Sequence, residues 1–177
     1  MKPYPLYFIP LILLLAVGLN AGLIEAPEAA LKRIYGPDAT IEKENRLLTG
    51  AQNQAFADTL GREPGSRIVT WYVASKEGKV TGYAGLRTVR VRTKDATALY
   101  CITPEGALQS IQMVAFHEPR EYLPPQRWLK TMEGKRLSDP VSNNEDIPNI
   151  TGATLSANAL TRTAKEMLLL WQLQFKE

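Results

Sequence analysis

Residues 68–91, IVTWYVASKEGKVTGYAGLRTVRV, decide the fold of this 177-residue chain. β-branched and aromatic residues fill 68–74, and a Lys-Glu-Gly-Lys turn separates them from a second extended run at 80–91. Two such runs joined by a short turn predict a β-hairpin. Residues 99–116 repeat the pattern around a Pro-Glu-Gly turn, so the sequence predicts an antiparallel sheet of at least four strands.

Two glycines, Gly82 and Gly85, interrupt the second of these runs. Glycine within a strand marks either a β-bulge or a place where another group approaches the backbone closely. The bulge is the favoured explanation, and a flat ligand lying against the sheet is the alternative.

A long helix is predicted at about residues 154–173. Apolar side chains recur there with helical spacing, at Leu160, Ala164, Met167, Leu168 and Trp171. Because a wide apolar stripe has to be buried, we expect this helix to cover one face of the sheet. The predicted fold class is therefore α+β, a twisted antiparallel sheet built from hairpins and packed by helices.

The N-terminal segment, residues 1–23, indicates export. It has one charged residue, Lys2, and an apolar run from about residue 6 to residue 19. This composition is typical of a signal peptide, and the apolar run extended to Ile24 is also close to the length of about 20 residues that a membrane-anchor helix needs. Both interpretations place the rest of the chain on the periplasmic, extracytoplasmic side of the cell membrane.

Residues 24–64 are predicted to form a helical adaptor region. One short helix is expected at residues 25–35, and a second at residues 49–60 with Thr49 as its N-cap. A Pro-Gly pair then breaks the chain. Residues 65–177 are left as the main domain.

The composition argues against several kinds of site. With 21 Lys and Arg against 18 Asp and Glu, the net charge of +3 gives little support to nucleic-acid binding. The single cysteine, Cys101, cannot form an intramolecular disulfide or a Cys-x-x-Cys metal site. Because His117 is the only histidine, a zinc site would need carboxylates for its other ligands. We predict no metal site and no catalytic constellation.

The most informative short segment precedes the long helix and reads Asn149-Ile150-Thr151-Gly152-Ala153-Thr154-Leu155-Ser156. The first N–H groups of a helix lack intrahelical partners and lie at the positive end of the helix dipole, so this place suits a phosphate. Gly152 permits close approach to the backbone. The alternative is an ordinary helix start, with Thr151 or Thr154 as the N-cap.

The Thr-Gly-Ala-Thr segment, preceded by Asp146 and followed by Leu-Ser and a long helix, resembles the motif of FMN-binding domains. That family includes the G subunit of Rnf complexes and the C subunit of sodium-translocating NADH:quinone reductase. The order of strands and turns in residues 65–173 is also similar. The resemblance implies that Thr154 carries FMN through a phosphoester bond installed by a flavin transferase. It also implies a cofactor-binding segment made of Thr151, Gly152, Ala153, Thr154, Leu155 and Ser156.

The resemblance does not identify the residues that contact the flavin ring. The two named subunits have a Glu-Thr-Pro-Gly segment where this chain has His-Glu-Pro-Arg-Glu-Tyr at residues 117–122. Tyr122, Leu123 and Trp128 lie between the last strand and the motif, which makes them candidates to line an isoalloxazine ring. For Trp128, the equal alternative is that it covers the sheet.

These observations predict an extracytoplasmic electron carrier or a subunit of a redox complex. They favour this class of protein over a stand-alone enzyme. The flavin would supply the redox chemistry. The expected partners are the flavin transferase and membrane or periplasmic redox proteins. The alternatives are an exported non-redox interaction module and a flavin-dependent reductase with its own small substrate.

Overall fold

A computed structural model describes residues 22–176, and the predicted signal or anchor segment lies almost entirely outside these residues. The described part has an α+β fold with one five-stranded antiparallel sheet and four helices. The strands are β1 (Thr40–Leu47), β2 (Ile68–Lys76), β3 (Lys79–Arg90), β4 (Asp95–Ile102) and β5 (Leu108–Phe116). The helices are α1 (Pro27–Tyr35), α2 (Gly50–Leu60), α3 (Gln126–Leu129) and α4 (Thr154–Phe175). None of these helices is both long and apolar enough to cross a membrane.

The strands form a meander in the order β1-β2-β3-β4-β5, so both predicted hairpins are confirmed. The register between β2 and β3 shifts after the pair Ala74–Gly82, because Ser75 is then opposite Val80. Thr81 is the extra residue, which places a β-bulge next to Gly82. The bulge interpretation therefore holds at this glycine.

At both strand glycines another group approaches the backbone closely, and in each case that group is a side chain of this protein. A Cβ added at Gly82 would lie 2.5 Å from the ring of Tyr35 in α1, and one added at Gly85 would overlap the end of Met167 in α4. Protein contacts thus occupy the places where a flat ligand was considered.

We expect Gly82→Ala to lower the free energy of unfolding by about 1–3 kcal/mol, the usual cost of overpacking a core, because the Tyr35 ring must move. Gly50→Ala is the control, since nothing lies within 4 Å of a Cβ added there. Chemical denaturation of both variants measures the effect. Equal stability of the two variants would contradict the packing of α1 on β3.

α4 covers one face of the sheet. Trp71, Gly85, Tyr100 and Ile111 lie opposite one another on β2 to β5, and the three with side chains are almost fully buried in the same cluster as Met167 and Leu170. The indole Nε1 of Trp71 donates to Oε1 of Gln174 at 2.7 Å. The predicted long helix and its buried face are confirmed.

α1 covers the opposite face. Its Ala30 and Leu31 pack against Tyr72, Leu99 and Cys101. Burial raises the pKa of the Cys101 thiol to about 11, so this thiol is protonated at neutral pH and unreactive.

β1 was not predicted from the sequence. Residues 40–47 read TIEKENRL, and neither face of that strand is apolar. β1 is an edge strand that pairs with β2 along its whole length, and an edge strand can carry charged side chains because backbone hydrogen bonds hold it. The adaptor region is therefore two helices with a strand between them. Its second helix is confirmed, with Thr49 and Gln52 forming a capping box.

Candidate functional site

α4 begins inside the Thr-Gly-Ala-Thr segment, and no side chain caps its start. The N-cap is Ala153, and Thr154 is the first helical residue, so the alternative in which Thr151 or Thr154 is the N-cap is wrong. Gly152 has a φ of +81°, a conformation that favours glycine. The N–H of Ala153 donates to the Ile150 carbonyl at 2.9 Å and closes the turn. The first N–H groups of α4 are left for another acceptor.

A cleft of about 370 Å³ opens at this helix start. Three segments form its wall: the loop after β3, the loop after β5, and the first turn of α4 with the residues before it. The lining residues are Val91, Arg92, Glu118, Tyr122, Gly152, Ala153, Thr154, Leu155 and Ser156. Thr154 is exposed, whereas Ala153 and Ser156 are buried. The volume is at the lower end of the range for small-molecule sites.

Ser156 joins α4 to the loop after β5. Its side chain is buried, and its Oγ donates to the carbonyl oxygen of Tyr122 at 2.7 Å. The guanidinium carbon of Arg92 lies 6.0 Å from the centroid of the Tyr122 ring. Ser156 therefore fixes the backbone of Tyr122, and the Arg92 guanidinium lies over the ring of Tyr122.

Glu118 joins the loop after β5 to the loop after β3. It is 6% exposed, and its Oε1 accepts hydrogen bonds from the N–H groups of Arg92 at 3.1 Å, Thr93 at 2.5 Å and Lys94 at 2.7 Å. The bond from Lys94, with those from Thr93 and Arg92, lowers the pKa of Glu118 against the opposing effect of burial. The carboxylate is therefore ionised, and three N–H groups of the loop engage its Oε1.

The lowered pKa of Glu118 predicts a pH-dependent stability. A carboxyl group whose pKa is lower in the folded than in the unfolded state stabilises the fold at pH values above its unfolded pKa, which is about 4.3 for Glu. That contribution is lost as the pH falls through the folded-state pKa. We expect wild-type protein to be more stable than Glu118→Gln at pH 7, with the difference shrinking as the pH is lowered below about 4. Urea denaturation at several pH values measures it. A difference that grows on acidification would contradict the prediction.

Asp146, the acidic residue that precedes the motif, does not line the cleft. Its carboxylate accepts from the N–H groups of Val141 and Ser142 and pairs with Lys135 at 2.9 Å. Burial tends to raise the pKa of Asp146, but these interactions outweigh it and the pKa is lowered. Asp146 orders the loop that leads to the motif.

The structure brings most of the predicted site residues together, and three lie elsewhere. Thr151 is exposed on the turn before the helix and is not part of the cleft lining. Leu123 lines two neighbouring clefts instead. Trp128 is 5% exposed within the core, and its Nε1 donates to the carbonyl of Pro148. For Trp128, the geometry favours the alternative of covering the sheet.

Three residues that line the cleft were not predicted from the sequence: Val91, Arg92 and Glu118. Glu118 belongs to the segment that departs from the family pattern, but nothing in the sequence marks it as the acceptor for a distant loop. Arg92 follows the predicted second strand, and only the tertiary arrangement brings it near the start of α4.

The cleft can hold an anionic group. The positive end of the α4 dipole, the cation of Arg92 and the hydroxyl of Thr154 meet there. Among the residues described, no group of three or more His, Cys, Asp or Glu side chains could hold a metal ion.

No family model matches the chain, and neither a curated protein nor a solved structure is significantly similar to it.

Proposed function

We propose that this protein is an electron-transfer flavoprotein that carries FMN covalently, as a phosphoester on Thr154. The position of Thr154 carries the proposal: its exposed side chain stands on the first residue of a 22-residue helix and lines a cleft. The likeness of residues 151–156 to the motif of FMN-binding domains supports the same residue.

The residues of the cleft fit the phosphate end of FMN. The uncapped N–H groups of α4 suit a phosphate, and the guanidinium of Arg92 adds a positive charge to the same cleft. Nothing lies within 4 Å of a Cβ added at Gly152, so there is space beside the turn. Bound flavin would supply the redox chemistry, since it accepts two electrons and releases them singly.

Formation of the ester needs an external enzyme in this proposal. The Thr154 oxygen must attack a phosphorus that carries an activated leaving group, while a base takes the hydroxyl proton. Glu118 is the one carboxylate among the lining residues, and three backbone N–H groups already engage it. A flavin transferase would supply the activated donor and the base, and the exposure of Thr154 suits access by such an enzyme.

The proposed location is the periplasmic side of the cell membrane, because residues 1–23 have the composition of a signal peptide or anchor. A covalent bond would prevent loss of the cofactor there. Membrane or periplasmic redox proteins would be the electron donor and acceptor. N-terminal sequencing of exported protein would distinguish cleavage from anchoring, and full-length protein soluble in the cytosol would contradict this part of the proposal.

The test of the redox proposal is the colour of exported full-length protein made with the transferase. We expect yellow protein whose flavin fluorescence stays with the chain on a denaturing gel. Colourless protein would favour the exported non-redox module. Steady turnover of a small soluble acceptor without a protein partner would favour the reductase.

A further inference from the structure

The loop between β3 and β4 is held by one carboxylate from outside the hairpin. Three consecutive N–H groups, from Arg92 to Lys94, point to Oε1 of Glu118, and the Thr93 hydroxyl lies 3.3 Å from both carboxylate oxygens. Consecutive N–H groups in a turn form an anion-binding concavity. Here the chain's own carboxylate fills that concavity.

The charge of Glu118 is satisfied by the backbone, which leaves the Arg92 side chain for other partners. Arg92 is exposed, and within residues 22–176 no carboxylate lies in salt-bridge distance of it. It lines the cleft beside Tyr122. Arg92 belongs to this loop, and Glu118 contacts three of the loop's N–H groups.

We propose that Glu118 is a positioning residue of the cleft: it clamps the β3–β4 loop and thereby places Arg92 at the cleft mouth, where Arg92 stabilises negative charge on the bound group. The effect of Arg92 on a flavin rests on the proposed function, whereas the clamp on the loop does not. The two parts are therefore tested by separate measurements.

Hydrogen exchange of the full-length, flavin-free protein tests the clamp. In Glu118→Gln, the amides of residues 92–94 should exchange about tenfold faster or more, because hydrogen bonds to a charged acceptor are stronger than those to a neutral one. Glu121→Gln is the matched control: it removes the same charge from the same loop after β5, but its side chain is exposed. Unchanged exchange in Glu118→Gln, or an equal change in Glu121→Gln, would overturn the clamp.

The reduction potential of the flavin-loaded protein tests the action through Arg92. Reduction adds negative charge to a flavin at neutral pH, so direct loss of the Glu118 charge would shift the potential to more positive values. Loss of Arg92 from its place would shift it to more negative values. We expect a negative shift in both Glu118→Gln and Arg92→Gln.

A double-mutant cycle decides between the two routes. When Arg92 is already Gln, the Glu118→Gln change should no longer produce a negative shift. A positive shift of the same size in both backgrounds would show that Glu118 acts by its own charge, which would overturn the proposal. Should Glu118→Gln fail to fold, Glu118→Asp replaces it, because it keeps the charge but withdraws the carboxylate by one methylene. Faster exchange of residues 92–94 is then the expected result, and unchanged exchange is the contrary one.

Failure of the proposed function and failure of the inference about Glu118 give different results. If wild-type protein gains no flavin with the transferase present, the proposed function fails and the role of Arg92 toward flavin fails with it, while hydrogen exchange still decides the clamp. If flavin is attached but the potentials do not follow the cycle, only the inference fails.

Discussion

Thr154→Ala protein made together with the flavin transferase should be recovered folded and without covalent flavin. Thr154 is the first residue of α4 and not its N-cap, so no capping hydrogen bond is lost. Its side chain is exposed, and alanine has the higher helix propensity. We therefore expect a stability change within about 0.5 kcal/mol and complete loss of the mass gain. Circular dichroism and intact-mass spectrometry measure the two quantities.

Thr151→Ala is the matched control for this prediction. Thr151 is a second hydroxyl in the same turn, but it lies outside the cleft lining and does not cap the helix. Thr151→Ala should keep the full mass gain. If Thr151→Ala prevents attachment in folded protein, or if Thr154→Ala still gains the mass of FMN less one water, the assignment of Thr154 is wrong.

Glu166→Ala should produce the largest loss of stability among the variants considered, about 3–5 kcal/mol. The Glu166 carboxylate lies on α4 between Arg87 of β3 and Arg62 of the loop after α2, and the side chains of Glu166 and Arg87 are 7% and 10% exposed. Removal of one partner from a buried ion pair leaves the other charge without compensation. Urea denaturation measures the loss.

Two graded controls make this result interpretable. Arg62 is 36% exposed, and Arg62→Gln leaves the pair with Arg87 in place, so its effect should be smaller. Asp95→Asn breaks the exposed pair with Arg90, whose side chains are 66% and 48% exposed in the order Arg90, Asp95, and should cost about 0–1 kcal/mol. If Glu166→Ala costs no more than Asp95→Asn, the buried pair does not hold α4 on the sheet.

Local sequence patterns predicted those helices and strands in which burial of one face makes apolar residues recur at a regular spacing. The strands β2 to β5 carry apolar and β-branched residues, and α4 carries a wide apolar stripe, so both types of element could be recognised. β1 could not, because an edge strand is held by backbone pairing and its charged side chains show no apolar face. The start of α4 was placed correctly, but its cap was not, since a turn can close without a side-chain acceptor.

The candidate site was predictable only along the segment that contains the motif. Residues 152–156 are adjacent in sequence and line one cleft. Arg92 and Glu118 reach the same cleft through two other loops, and the hydrogen bonds that join those loops connect residues about 25 positions apart. Trp128 shows a related limit, because an aromatic residue near the motif was as compatible with the core as with a ligand, and it is 5% exposed. Sequence spacing alone does not determine which loops meet.

The most direct measurement of the central claim is the intact mass of the full-length wild-type protein made with and without the flavin transferase. The proposal predicts a gain equal to FMN less one water only when the transferase is present, with peptide mapping placing the added mass on Thr154. No gain in folded, exported protein, or a gain that maps to another residue, would contradict it.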